Sequence, residues 1–223
     1  MNIRETLERV IVPIHREGYR VIITVATAVA FLSLISKPLA AVALVILGFC
    51  LYFFRDPRRI IPEENDVIVA PADGIVDAIE NVSPPDELNL SDHSTWTRIS
   101  IFLNIFNVHV QRIPFDAKVV ELFYRKGAFL NISADKNSKD NERQCCLIET
   151  KNGLKMVLVQ IAGLIARRIV CNLTVGQVVN RGDRYGLIKF GSRVDLYLPS
   201  GTVVCTKIGQ TMIAGETVIA RML

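Results

Sequence analysis

The stretch Lys189-Phe190-Gly191-Ser192-Arg193-Val194-Asp195-Leu196-Tyr197-Leu198-Pro199 places a hydroxyl directly after the least hindered carbonyl a chain can offer. Glycine reaches backbone conformations closed to other residues and leaves its carbonyl carbon open. Ser192 can therefore turn its hydroxyl on the Gly191 carbonyl and move the acyl group from nitrogen to oxygen. With a base for the hydroxyl and donors for the oxyanion, loss of the Ser192 α-proton would then eliminate the ester, leaving dehydroalanine that hydrolyses to a pyruvoyl group. The same dipeptide is also among the commonest turn formers, and a turn is the plain alternative.

Two further residues complete a carboxylate, imidazole and hydroxyl set. Asp73 lies in Pro71-Ala72-Asp73-Gly74, and His109 is expected mid-strand between Val108 and Val110. If the three meet, Asp73 fixes the imidazole tautomer and His109 takes the Ser192 proton. Taken singly, Asp73-Gly74 reads as a turn and His109 as a strand histidine with one hydrogen bond, and the sequence leaves these readings open.

The elements that must position them are short. From Ile60 onward, runs such as 67–70, 75–79, 97–103, 108–110, 117–120, 144–149, 156–161 and 194–198 are rich in β-branched residues and bounded by Gly, Pro, Asn or Asp. Residues 203–208 and 217–220 end the series. Glu149 to Lys155 reads as a hairpin with Asn152-Gly153 at its tip. No alternation with long helices supports a doubly wound sheet, so the expected fold is α+β, mainly β: an antiparallel sandwich or barrel-like domain over residues 60–223.

Residues 1–59 differ in kind. Ile3, Leu7, Val10, Ile11 and Ile14 recur at helical spacing over residues 1–20, with Pro13 expected to end or bend an amphipathic helix. Two apolar runs follow, Val21 to Ser36 and Leu39 to Phe54, separated by Lys37-Pro38. Each is a little shorter than the roughly twenty residues that span hydrocarbon at right angles. A second apolar run directly after the first argues against a cleaved signal peptide. A tight transmembrane hairpin and a shallow pair in one leaflet both remain open. Residues 1–60 carry eight Lys/Arg against four Asp/Glu, while the remaining 163 residues carry eighteen of each. The whole +4 excess thus flanks the apolar region and puts both of its ends on the cytoplasmic side.

The same distribution excludes nucleic acid as the expected partner, because the balanced remainder has no basic stripe interleaved with aromatics. Five cysteines, an odd number without a C-x-x-C pair, fit reduced thiols. His15, His93 and His109 have no metal-ligand spacing, and no metal is expected.

Beyond composition, several blocks resemble phosphatidylserine decarboxylase in its short bacterial, pyruvoyl-dependent form. They are Tyr185 to Asp195, Val69-Ala70-Pro71-Ala72-Asp73-Gly74, Phe106-Asn107-Val108-His109-Val110-Gln111-Arg112-Ile113-Pro114, Gly127 to Arg143, and Gln160 to Val170; Phe53-Phe54-Arg55-Asp56-Pro57 resembles the start of the family's catalytic domain. The resemblance runs from about Phe53 to Met212. It implies that Asp73, His109 and Ser192 form a self-processing triad, and that cleavage at Gly191-Ser192 yields a β chain (1–191) and an α chain (192–223). It implies a covalent pyruvate cofactor derived from Ser192, which takes the substrate amine as a Schiff base while carbon dioxide leaves phosphatidylserine to give phosphatidylethanolamine. The expected partners are phosphatidylserine, membrane lipid and the two chains of one precursor, with a homodimer left open, at the cytoplasmic side of the cell inner membrane. Two departures stand out: Phe106 where longer members carry a second histidine, and Gly-Ser-Arg where they have Gly-Ser-Thr. Arg167 and Arg168 would suit a lipid phosphate or simply be a solvated pair. A different class stays in play, a membrane-anchored module like lipoyl or biotinyl carriers, suggested by Gly182-Asp183-Arg184-Tyr185-Gly186 but lacking a carrier lysine motif.

Overall fold

A proline cannot continue a helix already under way but suits a first turn, so Lys37-Pro38 should both stop and start one. In the computed structural model, which describes residues 12–88, 90, 95–127, 141–163 and 168–223, it does. Helix α1 spans Arg16–Ile35 and α2 spans Lys37–Phe53, with Ser36 extended between them. The chain divides into two compact units, Met1–Arg58 and Arg59–Leu223, and both helices belong to the first.

The helices return to their starting point. Ile14 bridges Arg55 in antiparallel fashion, and the His15 N–H donates to the Phe54 carbonyl at 2.8 Å. Gly18 permits the approach, since a Cβ there would lie 2.6 Å from the Phe54 side chain. At 20 residues, α1 is long and apolar enough to cross a membrane, whereas α2 has 17. The amphipathic helix expected over residues 1–20 is corrected in part: positions 1–11 lie outside the described residues, residues 12–15 are not helical, and Arg16–Arg20 belong to α1. Pro13 and the bridge at Ile14 account for the non-helical start.

The second unit is built of strands: β1 (Val67–Val69), β2 (Gly74–Val82), β3 (Trp96–Leu103), β4 (Val110–Arg112), β5 (Ala117–Arg125), β6 (Arg143–Glu149) and β7 (Lys155–Ala162). The second half adds β8 (Arg168–Cys171), β9 (Val178–Val179), β10 (Arg184–Lys189), β11 (Ser192–Leu198), β12 (Thr202–Val204), β13 (Thr211–Met212) and β14 (Val218–Met222). Among the described residues every pairing is antiparallel. A curled eight-stranded sheet runs β13-β2-β3-β11-β7-β6-β5-β9, beside two three-stranded sheets, β1-β14-β12 and β4-β10-β8.

The mainly β fold expected from the strand-like runs is therefore present, and the Asn152-Gly153 hairpin joins β6 to β7 with Glu149 opposite Lys155. Two expectations change. His109 is not mid-strand, because β4 starts one residue later, after a turn closed by Asn104 and Asn107. The 203–208 run keeps only β12, because Lys207 to Gln210 form a turn with Gly209 at φ +86°.

Alternation along β11 decides which side chains meet. Val194, Leu196 and Leu198 join the main core with Ile101, Leu103 and Leu158, while Tyr197 joins a second cluster with Trp96, Cys145 and Val159 on the other face. Full burial of such aliphatic side chains is worth about 1.5–3 kcal/mol each before chain entropy is counted. β11 thus lies at the centre of the sheet, between β3 and β7, neither of which is near it in sequence.

Candidate functional site

β10 and β11 belong to different sheets, and only Phe190 and Gly191 lie between them. To turn so sharply, the chain takes Phe190 to φ +69° and Gly191 to φ +32°. Phe190 is the only non-glycine residue with positive φ among the described residues. A side chain in that region costs about 1–2 kcal/mol. Such strain survives only where flanking structure fixes it. Here β10 is paired to β4 and β8, and β11 to β3 and β7.

Ser192 follows at once. It sits opposite Leu103 and Ala162 on the core face and is fully buried, and its Oγ makes no hydrogen bond among the described residues. A buried hydroxyl without a partner is costly, so its persistence needs a reason. The carbonyl before it is held: the Gly163 N–H donates to the Gly191 oxygen at 3.1 Å. A donor so placed would strengthen its bond as charge grows on that oxygen.

His109 is also fully buried. Its Nδ1 lies 3.0 Å from the Asn107 carbonyl oxygen. A carbonyl only accepts, so the neutral ring carries its proton on Nδ1 and offers its lone pair at Nε2. Backbone geometry thus sets the tautomer that the sequence reading gave to Asp73. β4 brings this residue toward the crossing, because Val110 pairs with Leu187 and the ladder points His109 toward the end of β10.

Asp73 accepts from Arg59 Nη2 at 2.9 and 2.7 Å through its two oxygens and from the Ala214 N–H at 2.8 Å. Its turn is tied to the two strands that neighbour the other residues. The Arg112 N–H donates to the Pro71 carbonyl at 2.9 Å, linking it to β4. Gly74 packs so tightly on β3 that a Cβ would lie 2.3 Å from the Phe102 carbonyl oxygen, one residue before the Leu103 that faces Ser192. Topology therefore gathers the three segments at one end of the large sheet. Arg59 and Ala214 bond Asp73 directly, and Asn107 faces His109 Nδ1.

Sequence reading missed Gly163, Arg59 and Asn107. Arg59 was absorbed into the basic flank of the apolar region, and a backbone donor such as Gly163 has no signature of its own. Phe106, at the turn before His109, is 60% exposed. Arg168 is exposed at the start of β8, and Arg167, with most of the 127–143 block, lies outside the described residues.

Comparison with known proteins agrees with the blocks that carry this geometry. The family model described as phosphatidylserine decarboxylase matches residues 46–220. Proteins named phosphatidylserine decarboxylase proenzyme from Rickettsia akari (strain Hartford), Rickettsia felis and Rickettsia typhi are each 51% identical over 207 residues, covering 93% of this chain and 89% of theirs.

Proposed function

The chain belongs to the phosphatidylserine decarboxylase family, and from that premise we propose that it is made as a precursor, cuts itself between Gly191 and Ser192, and decarboxylates phosphatidylserine with a pyruvoyl group made from Ser192. The observation that carries this reading is the held peptide at the crossing, with the Gly191 oxygen on the Gly163 N–H and the buried Ser192 hydroxyl beside it. Family membership sets aside the carrier-like alternative.

His109 Nε2 takes the Ser192 proton, and Oγ attacks the Gly191 carbonyl carbon. The charge that develops on the Gly191 oxygen falls on the Gly163 N–H; removing a single donor of this kind typically slows acyl chemistry by about 10²–10³-fold. The carbon–nitrogen bond breaks, the nitrogen takes a proton, and an ester joins Gly191 to Ser192. Loss of the Ser192 α-proton expels the Gly191 carboxylate, and one water replaces the nitrogen, which leaves as ammonia. No redox partner is needed. Burial of Ser192 limits competing hydrolysis of the ester to an ordinary serine end. Asp73, ion-paired with Arg59, anchors its turn to β4 and β3 and so supports the position of His109.

Once formed, the pyruvoyl carbonyl supplies the sink for the electron pair left as carbon dioxide departs. His109 supplies the proton that the remaining carbon takes up. The helices α1 and α2 keep the enzyme at lipid, with the basic flanks of residues 1–60 on the cytoplasmic side of the inner membrane. An acyl-chain-bearing substrate needs that placement.

Intact masses of the purified protein under denaturing conditions test the reading. Two chains, 1–191 and 192–223, are expected, the smaller about 17 Da lighter than a serine-started peptide because ammonia has left. A single chain of full mass from an active preparation would overturn it.

A further inference from the structure

The face of β11 opposite Ser192 is chemically unlike the core face. Arg193 and Asp195, two residues apart on the same side, form an ion pair there with side chains only 4% and 1% exposed. Nη2 donates to Oδ2 at 2.9 Å, and Nε lies 2.9 Å from Oδ1 as an ion-pair contact without the alignment of a hydrogen bond. Phe102 and Ile161 stand opposite Arg193 on the neighbouring strands, and Ser100 and Val159 stand opposite Asp195. Asp195 and Tyr197 also line a cavity of about 680 Å³ under the 82–87 segment.

Stability does not explain such a pair. Two charges taken out of water gain little net free energy from each other, and well-packed apolar residues often do as well. Nor does this pair join two strands, since both members lie on β11. What it does fix is the extended backbone of residues 193–195, because the pair closes only when both side chains leave the strand on one face at that spacing.

That constraint matters if residue 192 becomes a chain end. Strand ends fray when nothing ties them down, and cleavage would make a fraying end of the residue that must hold still for chemistry. Lifting residues 192 and 193 off β3 and β7 would pull the Arg193 guanidinium away from the Asp195 carboxylate on a buried face, and separating buried opposite charges is strongly disfavoured.

We infer that Arg193 and Asp195 are positioning residues, a clamp that keeps the new chain end at residue 192 in register on the sheet after self-cleavage. The inference rests on the proposed cut at Gly191-Ser192. It gives the Arg193 that departs from the longer forms a task on the face away from the chemistry.

The decisive variant is the double substitution Arg193→Met with Asp195→Leu, which removes both charges and keeps their volume. Intact mass gives its maturation, melting its stability, carbon dioxide release from phosphatidylserine in mixed micelles its kcat and KM, and hydrogen exchange the opening of the Val194 amide. The expected result is a cut chain of near wild-type stability whose kcat falls about tenfold or more at unchanged KM, since small misplacements of reacting groups cost rates of that order. Exchange at Val194 should quicken. Arg193→Lys, which keeps the charge but replaces the planar guanidinium with a single flexible ammonium, should fall between the two and serves should the double variant not fold. Wild-type kcat and exchange in either variant would overturn the clamp. A wild-type chain of full mass would instead remove the cleavage reading itself, so the two failures are told apart.

Discussion

Two glycine-bearing turns read alike in the sequence and do different things in the fold. Residues 150–154 join β6 to β7, which pair with each other, so the turn closes its own hairpin. Its backbone groups are satisfied locally: Thr150 N–H to Leu154 O at 2.9 Å, Gly153 N–H to Thr150 O at 3.0 Å. Only Gly153 is left-handed, with just the end of the Glu149 side chain near it. Residues 190–191 join β10 to β11, which lie in different sheets. There a phenylalanine shares the left-handed region with the glycine, and the glycine carbonyl finds its donor far away in sequence, at Gly163. A turn whose strands pair with each other can relax, whereas one whose strands are held by other partners stores what it is given. Reactivity is expected only in the second.

The largest effects should therefore fall at the crossing. Ser192→Ala and His109→Ala should each leave one uncut chain of full mass, a complete loss of maturation. Normal maturation of the His109 variant would end its assignment as the processing base. Next in size is Gly163→Pro, which deletes the N–H that, among the described residues, donates to the Gly191 oxygen. Loss of an oxyanion donor of this kind costs about 2.7–4 kcal/mol, or 10²–10³ in rate. Pulse-chase mass spectrometry of the newly made precursor would read it. Gly163→Ala keeps the N–H and should mature faster than the proline variant; equal rates would remove the donor from the mechanism.

Why one turn was legible and the other only half so follows from what each depends on. Asn152-Gly153 between two β-branched runs specifies its hairpin from five residues of local chemistry. The strands themselves were legible for the same reason, through alternation and turn residues. Their neighbours were not, because β11 pairs with β3 and β7 across long stretches of chain. The reactive pair Gly191-Ser192 was visible as residue types, and resemblance pointed to Asp73 and His109. The strain at Phe190, the Gly163 donor and the Asn107 carbonyl that sets the His109 tautomer are backbone facts made by long-range pairing, and composition carries no trace of them. β8, β9 and β13 are too short or too polar to stand out by pattern.

Each turn borders a strand with a buried acid, and alkaline pH separates them. Burial pushes the Cys145 thiol on β6 up to about 11 from 9.0 and the Tyr197 hydroxyl on β11 up to about 12 from 10.0, with the charge of Asp195 adding to each. Both groups are neutral in the fold and ionise first in the unfolded chain. Their stabilising contributions are whole below the unfolded values and are lost as pH rises toward the folded ones, by up to about 1.4 kcal/mol per pH unit per group. In the uncut Ser192→Ala chain, urea midpoints should therefore fall from about pH 9 upward. Cys145→Val should flatten the slope between 9 and 11, and Tyr197→Phe that between 10 and 12. Cys145→Val in the otherwise native chain should still cut, because the hairpin strand has no part in the chemistry.

The smallest effect belongs to the relaxed turn. Gly153 has φ +80° and only the far end of Glu149 within 4 Å of a Cβ, at 3.9 Å, so alanine meets no clash there. What alanine must accept is the left-handed backbone, at about 1 kcal/mol, with a little recovered from the stiffer unfolded chain. Gly153→Ala should therefore lower the urea midpoint of the uncut chain slightly and leave the maturation rate of the native chain unchanged. A slowed cut with so small a loss of stability would mean that β6 and β7 pass the condition of the hairpin on to Gly163, one residue beyond the end of β7, and the two turns would then be parts of one device.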